Sequence, residues 1–381
     1  MYLLEHDAKD LLAQFGVPVP QGRLILQADA LDERQLPAGP WIVKGQIAAG
    51  GRGKAGIIRK ASTPEEASAH ARAILGMNVK AKRVDSVRIE QQIAAAEEVY
   101  IGFLLDAATA GVRVIVSERG GMDVEALPPE AIRSETVSPR REAMTACVER
   151  LTADMPRAKA TALRACGAML ASLFLEREAV LVEVNPLFVH ADGRWVAGDA
   201  KIVTDDNALE RQPAIRELLA RRAAAYPEAA LKLAHGFDYV VVDPEGEIGL
   251  LTTGAGLSMM LIDELRAAGM KPYNFLDIRT GGLRGETKRL VKVLQWIGGA
   301  PRVRVVLINI FAGITELGEF SKLLVAAIAQ APALTVPIVA RLVGTGLPAA
   351  RKVLEEEGIA LHTDLDAALI EVRGHLHRAK S

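Results

Sequence analysis

The sequence predicts an α/β protein whose organisation changes near residue 236. Beyond that point, segments with helical spacing alternate with short apolar runs typical of strands, which implies βα units on a mostly parallel sheet. Two strand–glycine–helix junctions, at 252–256 and 309–315, lie where a doubly wound sheet binds its ligands. Before residue 236, strand-like runs accompany a glycine-rich basic loop and a long alanine-rich helical stretch.

Composition and charge argue against several classes of protein. The chain has 381 residues, 50% of them hydrophobic, which suggests two or three domains with sizeable cores. A formal net charge of −1 and 4% aromatic residues argue against a surface for nucleic acid or for an anionic membrane. Cys147 and Cys166 stand in helix-like stretches without a Cys-x-x-Cys pattern and are interpreted as core residues. The N-terminal segment lacks the pattern of a signal peptide, and no apolar run reaches the about 18 residues of a membrane span, so we expect a cytoplasmic protein.

The first 235 residues are expected to form one domain of strands and helices. Ala8, Leu11 and Leu12 recur at helical spacing and predict a helix over 5–15. Thr63 and Pro64 are the capping residue and the first-turn proline of a helix that runs to about residue 75. Strand-like runs occur at 41–44, 56–59, 87–90, 98–105, 113–116, 180–184 and 195–197, a helical stretch covers 141–176, and a charged helical connector covers 205–235.

Residues 236–381 are expected to form the second domain. Strands at 238–242 and 248–252 are predicted to be joined by a hairpin turn at Pro244, Glu245 and Gly246. Helices and strands then alternate. The helices are predicted near 257–268, 284–297, 316–330, 346–357 and 364–372, and the strands near 273–277, 303–309, 337–341 and 359–362.

A glycine-rich basic loop at 50–56 follows the strand-like run that ends in Lys44. Glycines allow positive φ and a close approach of the backbone to a phosphate chain, whose charge Lys44, Arg52 and Lys54 can neutralise. The loop does not follow the Walker pattern, because no Gly-Lys-Ser/Thr closes it. Taken alone, the loop fits a phosphate site and a flexible basic hairpin equally well.

Hard oxygen ligands lie on two neighbouring strand-like runs. Glu183 and Asn185 share a face because side chains alternate along a strand, and Asp199 follows across a short turn. These groups can present the oxygen ligands that Mg²⁺ requires. The alternative is a hairpin with polar residues at its end. Carboxylates on strands that otherwise have a buried pattern favour the metal site, and Lys201 adds a cation on the same face.

Other features stay open on the residues alone. Glu90 and Glu98 could accept hydrogen bonds from a ribose or an adenine, but their spacing by itself favours two solvated surface acids. The junctions at 252–256 and 309–315 could be simple turns, yet two of them in one sheet favour a crevice where helix amides hold a carboxylate or phosphate. None of the seven histidines stands in a glycine-rich loop, so none is predicted to be a nucleophile.

Taken together, the motifs resemble the β subunits of succinyl-CoA synthetases. The resemblance extends over essentially the whole chain in the right order. It is carried by the runs at 43–56, 175–178, 183–187, 206–209, 254–257, 274–277 and 309–311. It implies an N-terminal ATP-grasp domain over 1–235 and a C-terminal flavodoxin-like CoA-ligase domain with a doubly wound parallel sheet over 236–381.

Residue by residue, the resemblance implies a nucleotide site and a metal site. The phosphates would be held by Lys44, Gly51, Arg52 and Gly53, with Lys44 and Arg52 neutralising the phosphoryl group that is transferred. The rest of the nucleotide would be held by Glu90, the backbone at Ile93, and Glu98. Mg²⁺ would be bound by Asn185 and Asp199.

The resemblance also implies a partner and a reaction. Such β subunits work with an α subunit that binds most of the CoA and carries a histidine. ATP would phosphorylate that histidine, the phosphoryl group would pass to a carboxylic acid, and CoA would capture the acyl phosphate. The chain is thus expected to be part of an ADP-forming acid–CoA ligase.

The half that would bind the acid departs from the succinate pattern. The resemblance places the acid or its phosphate at the turn of Gly313, Ile314 and Thr315. Thr253 stands where the family has asparagine, and Arg279 stands where it has glycine. Glu316 stands where the family has the arginine of Arg-Cys-Asp, and Gly346 where it has the last asparagine of Glu-Gly-Asn-Asn. The guanidinium of Arg279 suits a second carboxylate, a sulfonate or a phosphate, although an exposed arginine on a turn fits equally.

Several alternatives to a succinate ligase follow from these departures. Ala312 and the pair Gly344-Thr345 resemble malate–CoA ligase β subunits, so malate or another hydroxy or sulfo acid is an alternative substrate. A non-catalytic nucleotide-binding interaction subunit is a second alternative. A different ATP-grasp enzyme, such as a carboxylate–amine ligase, is a third, against which the second half of the chain argues.

Overall fold

The computed structural model describes residues 1–27, 32–79, 82–94, 96–121, 128–278, 286–313 and 315–378. The chain divides into two compact units, Met1–Ala225 and Tyr226–Ser381. The boundary that the sequence suggests, between residues 235 and 236, lies at the far end of helix α6 (Pro227–His235). That helix belongs with the second unit because Leu231 is buried in the core of that unit.

In the first unit, an antiparallel sheet has one apolar face and one charged face. Its strand order is β1–β6–β2–β3, and helix α2 covers the apolar face. Because side chains alternate, Val43 and Ile89 pack on that helix, whereas Lys44, Arg88 and Glu90 point the other way. The elements are β1 (Gly22–Ile25), β2 (Trp41–Gly45), β3 (Ile58–Ala61), β6 (Val87–Gln91), α1 (Glu5–Gln14) and α2 (Pro64–Ile74), with the short strands β4 (Asn78–Val79) and β5 (Lys82–Arg83) between α2 and β6.

The start of α2 confirms the predicted capping. Thr63 Oγ1 accepts a hydrogen bond from Glu66 N at 3.2 Å, and Glu66 Oε2 accepts one from Ser62 N at 2.7 Å. Pro64 occupies the first turn, where its missing N–H costs nothing. The helix therefore begins where the local sequence satisfies its free amides.

A second antiparallel sheet of six strands completes the first unit. Its order is β11–β10–β7–β8–β9, and β12 also pairs with β10. Helices α3 and α4 pack against it and are separate, because the predicted helical stretch 141–176 is interrupted by a turn before Pro156. The elements are β7 (Glu97–Asp106), β8 (Gly111–Ser117), β9 (Arg133–Val137), α3 (Arg141–Leu151), α4 (Arg157–Glu176), β10 (Ala179–Val189), β11 (Trp195–Ala197), β12 (Lys201–Thr204) and α5 (Pro213–Arg222).

Helix α4 is long and apolar enough to cross a membrane by length and composition. However, Leu163, Leu170 and Leu173 are buried inside the unit. Burial of this kind is typical of a core helix, so the length and composition of α4 are weak evidence for a membrane span.

The second unit is built on a parallel sheet with helices on both faces. The sheet has the order β14–β16–β17–β18, with α7 and α11 on one face and α8, α9 and α10 on the other. The elements are β13 (Asp238–Val241), β14 (Ile248–Thr252), α7 (Ala255–Ala267), β15 (Asn274–Asp277), α8 (Lys288–Gly298), β16 (Val305–Ala312), α9 (Leu317–Ala329), β17 (Ile338–Gly344), α10 (Leu347–Glu356), β18 (Ala360–His362) and α11 (Leu365–Arg378). The predicted alternation of strands and helices is confirmed.

The predicted hairpin between β13 and β14 is wrong. A turn does close at Gly246, whose N–H donates to Asp243 O at 2.8 Å, but β13 pairs antiparallel with β15 rather than with β14. The reason lies in Asn274 of β15, which takes the place of a strand neighbour for β14. Its side chain accepts from Leu250 N at 2.9 Å and donates to Leu250 O at 2.8 Å.

The position of β15 creates a topological switch point. The residues on either side of β15 also bond to β14, with Tyr273 N donating to Ile248 O at 2.8 Å and Ile278 N donating to Thr252 O at 3.1 Å. The chain thus leaves β14 toward β15 on one side and continues to β16 on the other. In doubly wound sheets, the crevice at the carboxyl ends of two such strands is the usual ligand site.

Candidate functional site

Lys44 lies on β2 and is held in a buried cluster of charges. Its Nζ lies 2.8 Å from Glu5 Oε1 and 2.7 Å from Glu90 Oε1, and it donates to Gly198 O at 2.8 Å. Glu5 comes from α1 and Glu90 from β6, so three elements fix the ammonium group. Lys9 of α1 lies 2.7 Å from both carboxylates and extends the cluster.

Arg52 joins the glycine-rich loop to the same cluster. Gly51 before it has φ of 75°, a backbone conformation that glycine adopts without strain. The guanidinium Nη1 donates to Glu5 Oε2, and Nη2 lies 2.7 Å from both carboxylate oxygens of Asp199. Gly53 faces open space, where a Cβ would meet no atom within 4 Å. The predicted phosphate-binding groups Lys44 and Arg52 therefore share one partner, Glu5.

Electrostatics favour the ionised forms of Glu5, Glu90 and Lys44 in this cluster. Burial alone would raise the pKa of Glu5, but Arg52, Lys44 and Lys9 outweigh it and hold that pKa well below its usual range. Burial likewise opposes ionisation of Glu90, and Lys9 and Lys44 outweigh it, so the pKa of Glu90 is lowered. Although burial works against its charge, Glu5 and Glu90 raise the pKa of Lys44. Burial, in contrast, lowers the pKa of Lys9 and raises that of Asp199. Lys44 and Arg52 are therefore the cations of the cluster best placed to meet a phosphate.

Asn185 and Asp199, the predicted metal ligands, lie in the interval between two strand pairings. Leu187 pairs with Ala197 and Glu183 pairs with Lys201, so both residues fall in the gap between these pairs. An amide oxygen and a carboxylate in this arrangement are hard donors of the kind that Mg²⁺ prefers. The donor set therefore fits a magnesium ion, with Arg52 as the present partner of Asp199.

The residues predicted to hold the rest of the nucleotide lie in different surroundings. Glu90 is 2% exposed and tied into the cluster, so the surface-acid interpretation of this residue is wrong. Ile93 is half-buried in the segment after β6. Glu98 is exposed on β7 and lies against Gly121, and Gly121 N donates to Asn185 Oδ1 at 2.7 Å. One glycine turn thus brings Glu98 close to the predicted metal site.

In the second unit, the two predicted junctions flank the switch point. Thr252 pairs with Asn309 in parallel register, so the turns that follow β14 and β16 lie side by side. Thr253 is half-buried at the start of the first turn, and Gly254 N donates to Asp277 Oδ1 at 2.8 Å. Because the two turns are neighbours, their position favours the interpretation as a ligand crevice rather than as two unrelated turns.

The second turn and its neighbour carry the altered residues. Gly313 is exposed and Thr315 is half-buried. Ile314 and Arg279, which were also predicted to face the acid, lie outside the described residues. Two departures from the succinate pattern meet here, because a Cβ on Gly346 would come within 1.6 Å of Glu316 Oε1. The two altered positions are therefore neighbours in the structure.

Sequence reasoning missed Glu5, Lys9 and Arg88. Arg88 Nε donates to Glu90 Oε2 at 2.7 Å, and Arg88 Nη1 lies 2.7 Å from His6 Nδ1. One signal was present, since Glu5 and Lys9 are four residues apart on the helix face that also buries Ala8 and Leu12. Opposite charges on an apolar helix face indicate a buried ion pair.

An antiparallel sheet that carries the buried cations Lys44 and Arg52, followed by a doubly wound parallel sheet, fits the class of ATP-dependent acid–CoA ligases. The ATP-grasp domain family matches residues 2–189, and the CoA-ligase family matches residues 251–372. The ADP-forming succinate–CoA ligase β subunit of Chloroflexus aurantiacus (J-10-fl) is 37% identical over 99% of this chain and 100% of its own. The corresponding subunit of Desulfurococcus amylolyticus is 34% identical over 98% of both chains. The GDP-forming subunit of Thermus thermophilus is 37% identical over 97% of both chains.

The chain belongs to the family of succinate–CoA ligase β subunits. The predicted family, the enzyme class and the ATP-grasp and CoA-ligase domains are confirmed. The fold also resembles a solved ATP citrate lyase from Methanothrix soehngenii, with a TM-score of 0.71 over 95% of both chains at 18% identity. That likeness concerns the fold alone.

Proposed function

We propose that this chain is the nucleotide-binding β subunit of an ADP-forming acid–CoA ligase that works with an α subunit. The observation that carries the proposal is the buried grouping of Lys44 and Arg52 beside Asp199. Two cations and a metal-ligand carboxylate in one place suit the polyphosphate of ATP. The relatives named above are β subunits, which supports a partner chain.

In the proposed reaction, ATP first phosphorylates a histidine of the α subunit. The γ-phosphorus–oxygen bond breaks, ADP leaves, and a bond to the histidine nitrogen forms. A carboxylate oxygen of the acid then takes the phosphoryl group, and the thiol of CoA displaces phosphate from the acyl phosphate. The products are acyl-CoA, ADP and phosphate, and the proposed compartment is the cytoplasm.

The chain would contribute mainly position and charge. Lys44 and Arg52 would neutralise the oxygens of the transferred group, and Gly51 and Gly53 would let the backbone approach them. Glu90, Ile93 and Glu98 would hold the remainder of the nucleotide. Asn185 and Asp199 would hold Mg²⁺, which when bound shields the charge between the β- and γ-phosphates.

The acid would bind at the switch point of the second unit. Thr253, Gly313, Ile314 and Thr315 are the proposed contacts, and Arg279 would pair with a second anionic group of the acid. Because Ala312 and the pair Gly344-Thr345 resemble malate–CoA ligase β subunits, a substituted acid such as malate or a sulfo acid is the second candidate.

The test is co-expression with an α-type chain, followed by an ATP- and CoA-dependent screen of dicarboxylic, hydroxy and sulfonated acids. Lys44→Ala should abolish labelling of the α-subunit histidine from radioactive ATP. Unchanged labelling would remove the role of Lys44.

Arg279→Gly should change the ranking of the acids, and an unchanged ranking would remove the role of Arg279. Nucleotide binding with no turnover on any acid would favour the non-catalytic interaction subunit.

A further inference from the structure

Glu5 is the carboxylate that joins the two predicted phosphate-binding cations. Its side chain is 1% exposed, and its two oxygens are divided between Lys44 and Arg52. Lys9, also fully buried, lies 2.7 Å from the same Oε1 that contacts Lys44. Glu5 is held by its own helix as well, since Lys9 is one turn along α1.

The two terminal nitrogens of the Arg52 guanidinium lie in different environments. Asp199 is 30% exposed at its side chain, so the Nη2 edge of the guanidinium lies toward the open side. The Nη1 edge lies on Glu5, in the interior. A phosphate or a metal ion arriving from solvent would meet Asp199 and Nη2 first, and Glu5 last.

We propose that Glu5 is a positioning residue of the nucleotide site. It anchors Nζ of Lys44 and Nη1 of Arg52 from the interior. Lys44 can then exchange its bond to Gly198 O for a phosphate oxygen while it stays on Glu5. Arg52 can exchange Asp199 for a phosphate oxygen while it stays on Glu5. This inference rests on the proposed function, because it assumes that Lys44 and Arg52 bind phosphate.

Charge alone predicts the opposite effect of removing Glu5. A carboxylate near a phosphate repels it, so loss of that charge would strengthen nucleotide binding if Glu5 were only a competitor. Positioning predicts weaker binding, because a misdirected cation loses hydrogen-bond geometry with the phosphate. The sign of the change therefore separates the two roles.

The experiment measures the affinity of the full chain for Mg-ADP by isothermal titration calorimetry. Glu5→Gln should weaken binding by about tenfold or more. The matched control is Asp7→Asn, which removes another buried, ion-paired carboxylate of the same helix, one that contacts Arg222 instead. The control should bind Mg-ADP within about twofold of the unsubstituted chain.

A second variant covers the case in which Glu5→Gln does not fold. Glu5→Gln combined with Lys9→Met removes one charge of each sign, so the net charge of the cluster is kept. It should fold and should still bind Mg-ADP more weakly than the unsubstituted chain, because Lys44 and Arg52 have lost their shared acceptor. Equal or tighter binding by the folded variants overturns the positioning role. Failure of the unsubstituted chain to bind Mg-ADP would instead count against the proposed function.

Discussion

Asp199 has one partner in the structure and a second one in the proposed function. The Arg52 guanidinium contacts both of its oxygens at 2.7 Å. A divalent ion at Asp199 would share that carboxylate with the guanidinium, and the two positive charges would repel each other at close range. Metal and Arg52 should therefore compete for Asp199.

Arg52→Met should raise the affinity of the full chain for Mn²⁺ without nucleotide by about tenfold or more. The change removes the competitor and keeps a side chain of similar length. Free Mn²⁺ can be followed by electron paramagnetic resonance. Lys60→Met, which removes an exposed cation of β3, is the control and should leave the affinity unchanged. The same affinity in Arg52→Met and the unsubstituted chain would contradict the competition, and adding Asp199→Asn should abolish any gain.

The protonation of His6, which lies beside the charged cluster, makes the stability of the first unit depend on pH. Its Nδ1 lies 2.7 Å from Arg88 Nη1, and its Nε2 lies 3.6 Å from Asp10, while Asp7 and Arg222 pair beside it. Burial, and next the charge of Arg88, lower the pKa of His6 to about 4. The unfolded chain protonates this histidine near pH 6.5, so between about pH 6.5 and 4 the unfolded state binds the extra proton.

The free energy of unfolding should therefore fall as pH falls from about 6.5 to 4, by up to about 3 kcal/mol from His6. His6→Asn, which keeps an acceptor near Arg88 but does not titrate in this range, should flatten that dependence. Urea unfolding of the first unit, followed at several pH values, measures it. Burial raises the pKa of Asp10, but Asp10 is present in both proteins, so the difference between their pH profiles isolates His6. Parallel pH profiles for the two proteins would contradict the assignment.

At the residue scale, short motifs carried most of what the sequence could predict about the site. Lys44, Arg52 and Asp199 were found because a glycine loop and paired oxygen ligands are local patterns, and the structure brings these three residues together. Glu5 was not found because its partners are distant in sequence and only the fold brings them together. The buried state of Glu90 was missed for the same reason.

At the scale of elements, the ends of helices could be predicted from local sequence, whereas the pairing of strands could not. Caps and prolines decide where a helix starts, as Thr63 and Pro64 do for α2. Pairing depends on partners far along the chain, and here the side chain of Asn274 holds β15 against β14. A hairpin between β13 and β14 looked favourable only because the turn at 243–246 is local.

Asn274→Ala should destabilise the second unit by about 3 kcal/mol, because the N–H and the C=O of Leu250 both lose their partner inside the protein. Asn309→Ala is a matched comparison, since Asn309 is also fully buried in this unit. Its Oδ1 accepts from Arg341 Nη1 at 3.0 Å, and its Nδ2 has no hydrogen-bond partner among the described residues. It should cost less than Asn274→Ala. Urea unfolding of the full chain measures both, and equal costs would contradict the bridging role of Asn274.

At the scale of the whole molecule, the alternation of strands and helices identified the second unit, but its beginning was placed after α6. The helical composition of 205–235 suggested a single connector, because composition does not show which side a helix packs on. In the structure, Leu231 of α6 lies in the core of the second unit, Glu228 accepts from Val241 N at 3.2 Å, and Lys232 lies 2.7 Å from Asp238. We therefore propose that the second domain begins at Tyr226.

A fragment of residues 226–381 should accordingly be more stable to urea than a fragment of residues 236–381. The difference in the free energy of unfolding should be about 2 kcal/mol. Burying one leucine contributes about 1.5–3 kcal/mol, and the entropic cost of ordering the short helix offsets the contribution of its polar contacts. Leu231→Ala in the longer fragment should remove most of that difference, which separates the packing of α6 from the mere length of the chain. Equal urea midpoints for the two fragments would mean that α6 adds nothing to the second domain, and would return the boundary to residue 236.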